Sequence, residues 1–118
     1  MQYENQRPIY IQLMELIKKE IAMGKWKVEE KMPSTREMAK IAQVNPNTVS
    51  RVYALLEQDG FLTTRRGLGT YVSNNIDKEK LKKEIVYKRI EKFLADVLFL
   101  GFSEQEICQM ILEKKGGF

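Results

Sequence analysis

Ile9, Leu13, Leu16, Ile17 and Ile21 recur at three- and four-residue spacing, the period of one helical face. Pro8 suits the first position of that helix, where its missing N–H costs nothing, and Gly24 lies where the helix should stop. Trp26 and Val28 follow in a short extended connector expected to pack back onto it. Ser34-Thr35-Arg36-Glu37 then has the form of a capping box, and Met38, Ala39, Ile41 and Ala42 supply a buried face to a second helix. After Gln43-Val44, Asn45 is placed to cap a third helix with Pro46 at its first position. Val49, Val52, Leu55 and Leu56 form its apolar face, Tyr53 borders that face and Gly60 closes the helix. Two short helices joined by so tight a turn predict a helix-turn-helix.

The pattern then changes. Phe61-Leu62-Thr63-Thr64 and Thr70-Tyr71-Val72-Ser73 are β-prone runs joined by a turn holding Gly67 and Gly69, which predicts a hairpin. Asn74-Asn75 ends it, and Asp77 suits the start of another helix. Residues 78–100 are charged but periodic, with Leu81, Ile85, Val86, Ile90, Phe93, Leu94, Val97 and Leu98 along one side. Gly101 interrupts the run, and Ser103 with Glu106 forms a second capping box for a short helix carrying Ile107, Met110 and Ile111. A bent helical tail with an apolar stripe folds onto its own domain or meets a copy of itself. Dimerisation is therefore expected through Leu81, Ile85, Ile90, Phe93, Leu94, Val97, Leu98, Ile107 and Ile111. The chain reads as mainly α with a small β-hairpin: a winged helix-turn-helix DNA-binding domain over residues 1–75 and a two-helix C-terminal dimerisation tail over residues 76–118.

Composition changes this picture in two ways. The net charge of +4 is a mild pointer to a polyanion, but its distribution is more telling. Between Met38 and Leu56 the only charges are Lys40 and Arg51, and between Gly60 and Ile76 only Arg65 and Arg66, so acids are missing from both segments that would face phosphates. With no histidine and Cys108 as the only cysteine, His-dependent acid–base chemistry, Cys/His zinc sites and an intrachain disulfide are removed. No cofactor and no metal are expected. Cys108 lies in an apolar helical pattern and reads as a core or interface packing residue. No apolar run approaches the ~20 residues needed to cross a bilayer, and the first six residues lack signal-peptide character, so a cytoplasmic protein is expected.

Asn47 and Thr48 fall in the first turn of the third helix, the end that dips into a major groove in helix-turn-helix complexes. An Asn amide pairs bidentately with adenine and an Arg guanidinium with guanine, so Asn47 and Arg51 are the candidate base readers. Tyr10, Trp26, Tyr53 and Tyr71 read as packing residues. An enzyme is not expected: Gly67-Leu68-Gly69 is too short and follows a strand rather than opening a helix, unlike a phosphate-cradling loop. A winged helix used for protein contact is the alternative, and salt-sensitive duplex binding separates the two. A membrane-surface role for the tail is disfavoured because Asp77, Glu79, Glu84, Glu91 and Asp96 stand among its lysines.

Five ordered motifs resemble the DNA-binding domain of the GntR superfamily of bacterial regulators, and more specifically its short YtrA-type branch. They are Pro8-Ile9-Tyr10-Ile11-Gln12-Leu13, residues 31–39 (KMPSTREMA), residues 44–49 (VNPNTV), residues 56–62 (LEQDGFL) and residues 66–72 (RGLGTYV). The resemblance implies that the tail serves dimerisation and that the protein is a homodimeric repressor of a transporter-type operon, acting at a palindromic operator. It also implies that Arg36 contacts DNA, that Asn45, Asn47, Thr48 and Ser50 occupy recognition-helix contact positions, and that Arg66 and Gly67 form the wing tip. Many family members carry arginines where this chain has Pro46 and Ser50, so its base readout differs from theirs. The expected partners are a double-stranded DNA operator and a second copy of the chain, through Ser34, Thr35, Arg36, Asn45, Pro46, Asn47, Thr48, Ser50, Arg51, Arg65, Arg66, Gly67, Gly69 and Thr70 on the DNA side. A small-molecule effector is left open, since no polar cluster marks a pocket for one.

Overall fold

The structure is a computed structural model that describes residues 3–117. Its elements run α1 (Ile9–Ala22), α2 (Thr35–Ala42), α3 (Pro46–Gln58), β1 (Leu62–Arg65), β2 (Gly69–Val72), α4 (Lys78–Val97), a 3-10 turn (Leu98–Leu100) and α5 (Glu104–Gly117). They fall into two compact units, one running to Lys82 and the other starting at Lys83.

The first unit is held by one apolar core. Leu13, Ile17 and Ile21 of α1, Val49, Val52 and Leu56 of α3, and Leu62 and Val72 of the hairpin are almost completely withdrawn from water. Each such side chain stabilises the fold by about 1.5–3 kcal/mol. Met38, Ala39 and Ala42 bring α2 onto that core. The apolar faces are narrower than the periodicity predicts. Ile41 is 58% exposed and Ile9 is also exposed, while Leu16 and Leu55 are half-buried. The reason is that α2 packs chiefly on α3, so only one side of it is covered.

Helix ends follow local chemistry. Pro8 stands one position earlier than expected, as the residue before α1, with φ −56° and ψ 139°. At the other end Gly24 takes φ +84°, which lets the Lys25 N–H reach the Glu20 carbonyl at 2.9 Å and close the helix. Residues 3–7 strap back over α1. Gln12 Nε2 donates to the carbonyls of Glu4 and Arg7, Arg7 pairs with Glu4 and Glu15, and the Tyr3 hydroxyl donates to the Ala42 carbonyl at 2.8 Å.

The connector after α1 does two things. Trp26 is half-buried and its Nε1 donates to Glu20 on α1 at 3.1 Å. Residues beyond it join the hairpin: the Glu29 and Met32 N–H groups donate to the Val72 and Thr70 carbonyls, and the Val72 N–H donates to the Glu30 carbonyl. Lys31 thus bridges Tyr71, and the antiparallel pair β1–β2, in register from Leu62 opposite Val72 to Arg65 opposite Gly69, gains a short third rung.

In the second unit the 3-10 turn ends at Gly101, whose φ is +97°. Ser103 then caps α5: its hydroxyl accepts from the Glu106 N–H and the Glu106 carboxylate accepts from the Ser103 N–H, each at 3.0 Å. Those bonds hold the Glu106 carboxyl below its ordinary pKa.

Candidate nucleic-acid interface

The turn between α2 and α3 is made by backbone geometry that few residues adopt freely. Gln43 takes φ 58° and ψ 48°, the left-handed region, and the Val44 N–H donates to the Ala39 carbonyl at 3.0 Å. Upstream, the Ser34 hydroxyl accepts from the Glu37 N–H and the Glu37 carboxylate accepts from the Ser34 N–H, the reciprocal capping box. This pair of bonds to Ser34 pulls the Glu37 carboxyl below its usual pKa. Downstream, Asn45 Oδ1 accepts from the Asn47 N–H at 2.8 Å, with Pro46 at the first helical position. The buried Tyr53 hydroxyl donates to the Pro33 carbonyl at 2.7 Å and ties α3 to the start of α2. Burial pushes its pKa well up, so it stays a neutral donor.

Along α3, Asn47, Arg51, Ala54 and Gln58 follow one exposed side, opposite Val49, Val52, Tyr53 and Leu56. Pro46 and Ser50 are exposed with them, whereas Thr48 is half-buried. Asn45 is exposed, but its carboxamide oxygen is committed to the cap. Ser34 and Arg36 are exposed and Thr35 is half-buried. Arg36 and Lys40 line a shallow groove with Ala39, Val44 and Pro46, which puts two cations beside the first turn of α3.

The wing is attached to the same helix. The Glu57 carboxylate of α3 accepts from the Thr64 hydroxyl at 2.9 Å and from its N–H at 3.3 Å. At the wing turn Gly67 takes φ +76°, and Arg65, Arg66, Gly67 and Gly69 are exposed, with Thr70 half-buried. Gly69 is favoured by its backbone conformation, and the flexible end of Lys31 lies over it. Its φ is +121°, and a Cβ there would stand 2.9 Å from the Lys31 Cε. Lys31 therefore crosses the wing where a side chain is missing, and it adds a cation that sequence reasoning did not place.

Two further arginine contacts were not legible beforehand. The Arg51 guanidinium stacks on the Tyr10 ring at 3.6 Å, and that of Arg65 on the Tyr71 ring at 4.0 Å. Tyr10 and Tyr71 are half-buried, so both do pack, but each also supports an arginine. Among the described residues none of Lys31, Arg36, Lys40, Arg51, Arg65 and Arg66 forms an ion pair. Lys31 and Lys40 act on the Glu37 carboxylate from a distance and help to lower its pKa, whereas the four arginines have no acid partner among the described residues and are available to phosphate oxygens.

Of the residues expected on a dimer seam, Ile90, Phe93, Leu98 and Ile111 are exposed, and Ile85, Leu94 and Val97 are half-buried. Two depart from the expectation. Leu81 belongs to the first unit and is 4% exposed, and Ile107 is 5% exposed, so both are already covered within the chain. Val86, Tyr87, Phe99, Leu100, Phe102, Met110 and Leu112 are exposed apolar residues as well, Phe99 at 78%. Cys108 is exposed and is not a core residue of this chain. No helix among the described residues is long and apolar enough to cross a membrane.

Two helices joined by a three-residue turn, the second with its first turn exposed and a hairpin bonded to its side, make a winged helix-turn-helix. The family model for "Bacterial regulatory proteins, gntR family" matches residues 9–72. The chain belongs to that family. Over 116 residues it is 34% identical to the uncharacterised HTH-type transcriptional regulator YhcF of Bacillus subtilis (strain 168), covering 93% of this chain and 92% of that protein. It is also 34% identical over 108 residues to the HTH-type transcriptional repressor YtrA of the same organism, covering 90% and 83%. A GntR family transcriptional regulator from Listeria monocytogenes superposes with a TM-score of 0.82 at 31% identity, over 94% of this chain and 98% of that one. The AraR DNA-binding domain in complex with operator ORR3 superposes at 0.55 and 29% identity, over 62% and 88%. The protein is a transcriptional regulator of the GntR type, not an enzyme, and regulators of this family bind operator DNA.

Proposed function

We propose that this chain is a homodimeric repressor that binds a palindromic operator and controls a transporter-type operon. The observation that carries the reading is the exposed first turn of α3, with Asn47 free at its tip, Arg36 and Lys40 beside it, and the wing bonded to the same helix through Glu57. A helix so presented enters a major groove while the wing arginines meet the backbone. Asn47 and Arg51 are the candidate base readers, with Ser50 beside them on the exposed side of α3. Ser34, Thr35, Arg36, Asn45, Thr48, Arg65, Arg66, Gly67, Gly69 and Thr70 bring side-chain or backbone donors to phosphates, and Pro46, which has no donor, offers only apolar contact. The relative named a repressor supports the sign of regulation.

Residues 1–75 are the DNA-reading part in this proposal and residues 76–118 the pairing part, acting in the cytoplasm. The exposed Ile90, Phe93, Leu98 and Ile111 are the anchors of the pairing surface. Two-fold pairing presents two recognition helices to half-sites about one turn of duplex apart, or a multiple of it. The test is enrichment of duplexes of about 30 base pairs from a random pool by the full chain, followed by titration at several salt concentrations. An inverted repeat bound about tenfold more weakly by Arg36→Ala and by Asn47→Ala is the expected result. Failure to enrich any duplex would place this winged helix among those used for protein contact.

A further inference from the structure

Tyr10 opens α1 and Tyr71 lies in β2, yet each carries an arginine laid on its ring, Arg51 at 3.6 Å and Arg65 at 4.0 Å. Both tyrosines are half-buried, and Tyr71 is held between Thr63 across the hairpin and Lys31 at the third rung. The arginines are exposed and have no acid partner among the described residues. A guanidinium carries all its N–H donors in its own plane. Centred over a ring at that distance it is held by cation–π attraction, with its N–H donors not spent on an acid. The two supported arginines also flank α3. Arg51 faces α1 and Glu57 faces the wing, six positions further along α3, which puts those faces roughly 120° apart around the helix.

We propose that Tyr10 and Tyr71 are positioning residues that hold Arg51 and Arg65 preorganised as phosphate clamps on the two sides of the recognition helix. Arg51 is then a backbone contact and not the base reader that its place on the exposed face of α3 predicts. Its guanidinium is held over the Tyr10 ring of α1. An arginine held in place loses less freedom on meeting a phosphate than one free to sample rotamers. The inference rests on the reading that this face binds duplex DNA.

The experiment uses the full chain, a duplex enriched by it from a random pool, and a shuffled duplex of equal composition, with affinity read by fluorescence anisotropy across a salt series. Arg51→Ala weakens both duplexes by the same factor, about tenfold, and makes the log–log salt slope shallower by about 1 per bound protomer. Tyr10→Leu weakens both by about two- to fivefold, and adds no loss in the Arg51→Ala background. Tyr10→Phe keeps the ring and stays within about twofold of the parent. Arg51→Lys keeps the charge but loses the planar stack, so affinity falls while the salt slope is unchanged. Arg65 and Tyr71 behave in the same way. Thermal unfolding followed by circular dichroism checks that each variant is folded. Loss on the enriched duplex alone would restore Arg51 as a base reader and overturn the proposal. So would equal loss from Tyr10→Leu with and without Arg51, equal loss from Tyr10→Phe and Tyr10→Leu, or parental binding by Arg51→Lys, the arm that stands even where Tyr10→Leu does not fold. If the parent chain binds neither duplex, the DNA reading fails before this one is reached.

Discussion

Glu57 on α3 accepts two hydrogen bonds from Thr64 on β1, from its hydroxyl at 2.9 Å and its N–H at 3.3 Å. One carboxylate therefore ties α3 to the wing. The second anchor of the hairpin is its buried base, Leu62 opposite Val72, next to the Thr63–Ser73 hydroxyl contact at 2.9 Å. The base and the third rung at residues 29–32 hold the wing in place, and Glu57 adds a tie between its first strand and α3.

Glu57→Leu is expected to keep the fold, because the residue is exposed, while loosening the tie between the wing and α3. Operator affinity should fall about three- to tenfold, with a change in thermal midpoint consistent with the loss of ~1 kcal/mol per hydrogen bond. Unchanged affinity in a fluorescence titration would show that this tie does not matter to binding.

Ser34→Ala removes one half of the capping box that starts α2. A loss of about 1 kcal/mol is expected, read as a lower urea midpoint. The pH dependence follows from Glu37, whose pKa is depressed in the folded state by its bonds to Ser34. Its contribution is present above the ordinary carboxylate value and is lost as pH falls through the lower, folded one. Parent and Ser34→Ala should therefore both lose stability on acidification through that window, because the Glu37 carboxylate still accepts from the residue-34 N–H in the variant, and the gap between them narrows only by the share the Ser34 hydroxyl carries. Stability of the parent that does not fall through that window would mean that Glu37 makes no such contribution.

Gln43 holds φ 58° with its side chain exposed, a conformation that disfavours any residue bearing a Cβ. Gln43→Gly should therefore stabilise the protein, by on the order of 1 kcal/mol, without altering DNA affinity. A lower denaturation midpoint in this variant would mean that the Gln43 side chain makes a contribution the geometry does not reveal.

For the tail, Phe93→Asp and Ile90→Asp place a charge on exposed apolar positions of α4. If these residues anchor the pairing surface, both variants sediment as monomers at concentrations where the parent is a dimer, and operator affinity drops with them. Cys108, exposed on α5, offers a second readout: a label there reports proximity between copies. Dimeric Phe93→Asp would move the interface elsewhere.

Much of the local structure was readable in advance because its partners lie within one turn of each other. Ser34 with Glu37, Asn45 with Asn47 and Ser103 with Glu106 are bonds between residues two or three positions apart, and residue type with spacing is enough to infer them. The glycines at 24, 60, 67 and 101 likewise fall where the backbone turns left-handed. Over-reading came where an apolar residue was taken for a buried one. Ile9 and Ile41 fit the helical period yet face water, since periodicity tells which side a residue is on and not whether anything covers that side.

The order of residues alone was sufficient for the elements, the family motifs and the acid-free character of the candidate interface, because propensity, capping and charge are properties of short stretches. Tertiary structure decided everything that joins distant stretches: Lys31 crossing the wing at Gly69, Tyr10 beneath Arg51, Tyr3 reaching the Ala42 carbonyl, and Leu81 withdrawn into the first unit. The Tyr3 and Ala42 pair is separated by 39 positions, the Tyr10 and Arg51 pair by about as many, and no local preference encodes such a meeting. Those contacts arise only when the shared core of α1, α3 and the hairpin closes, and they determine how the arginines are aimed.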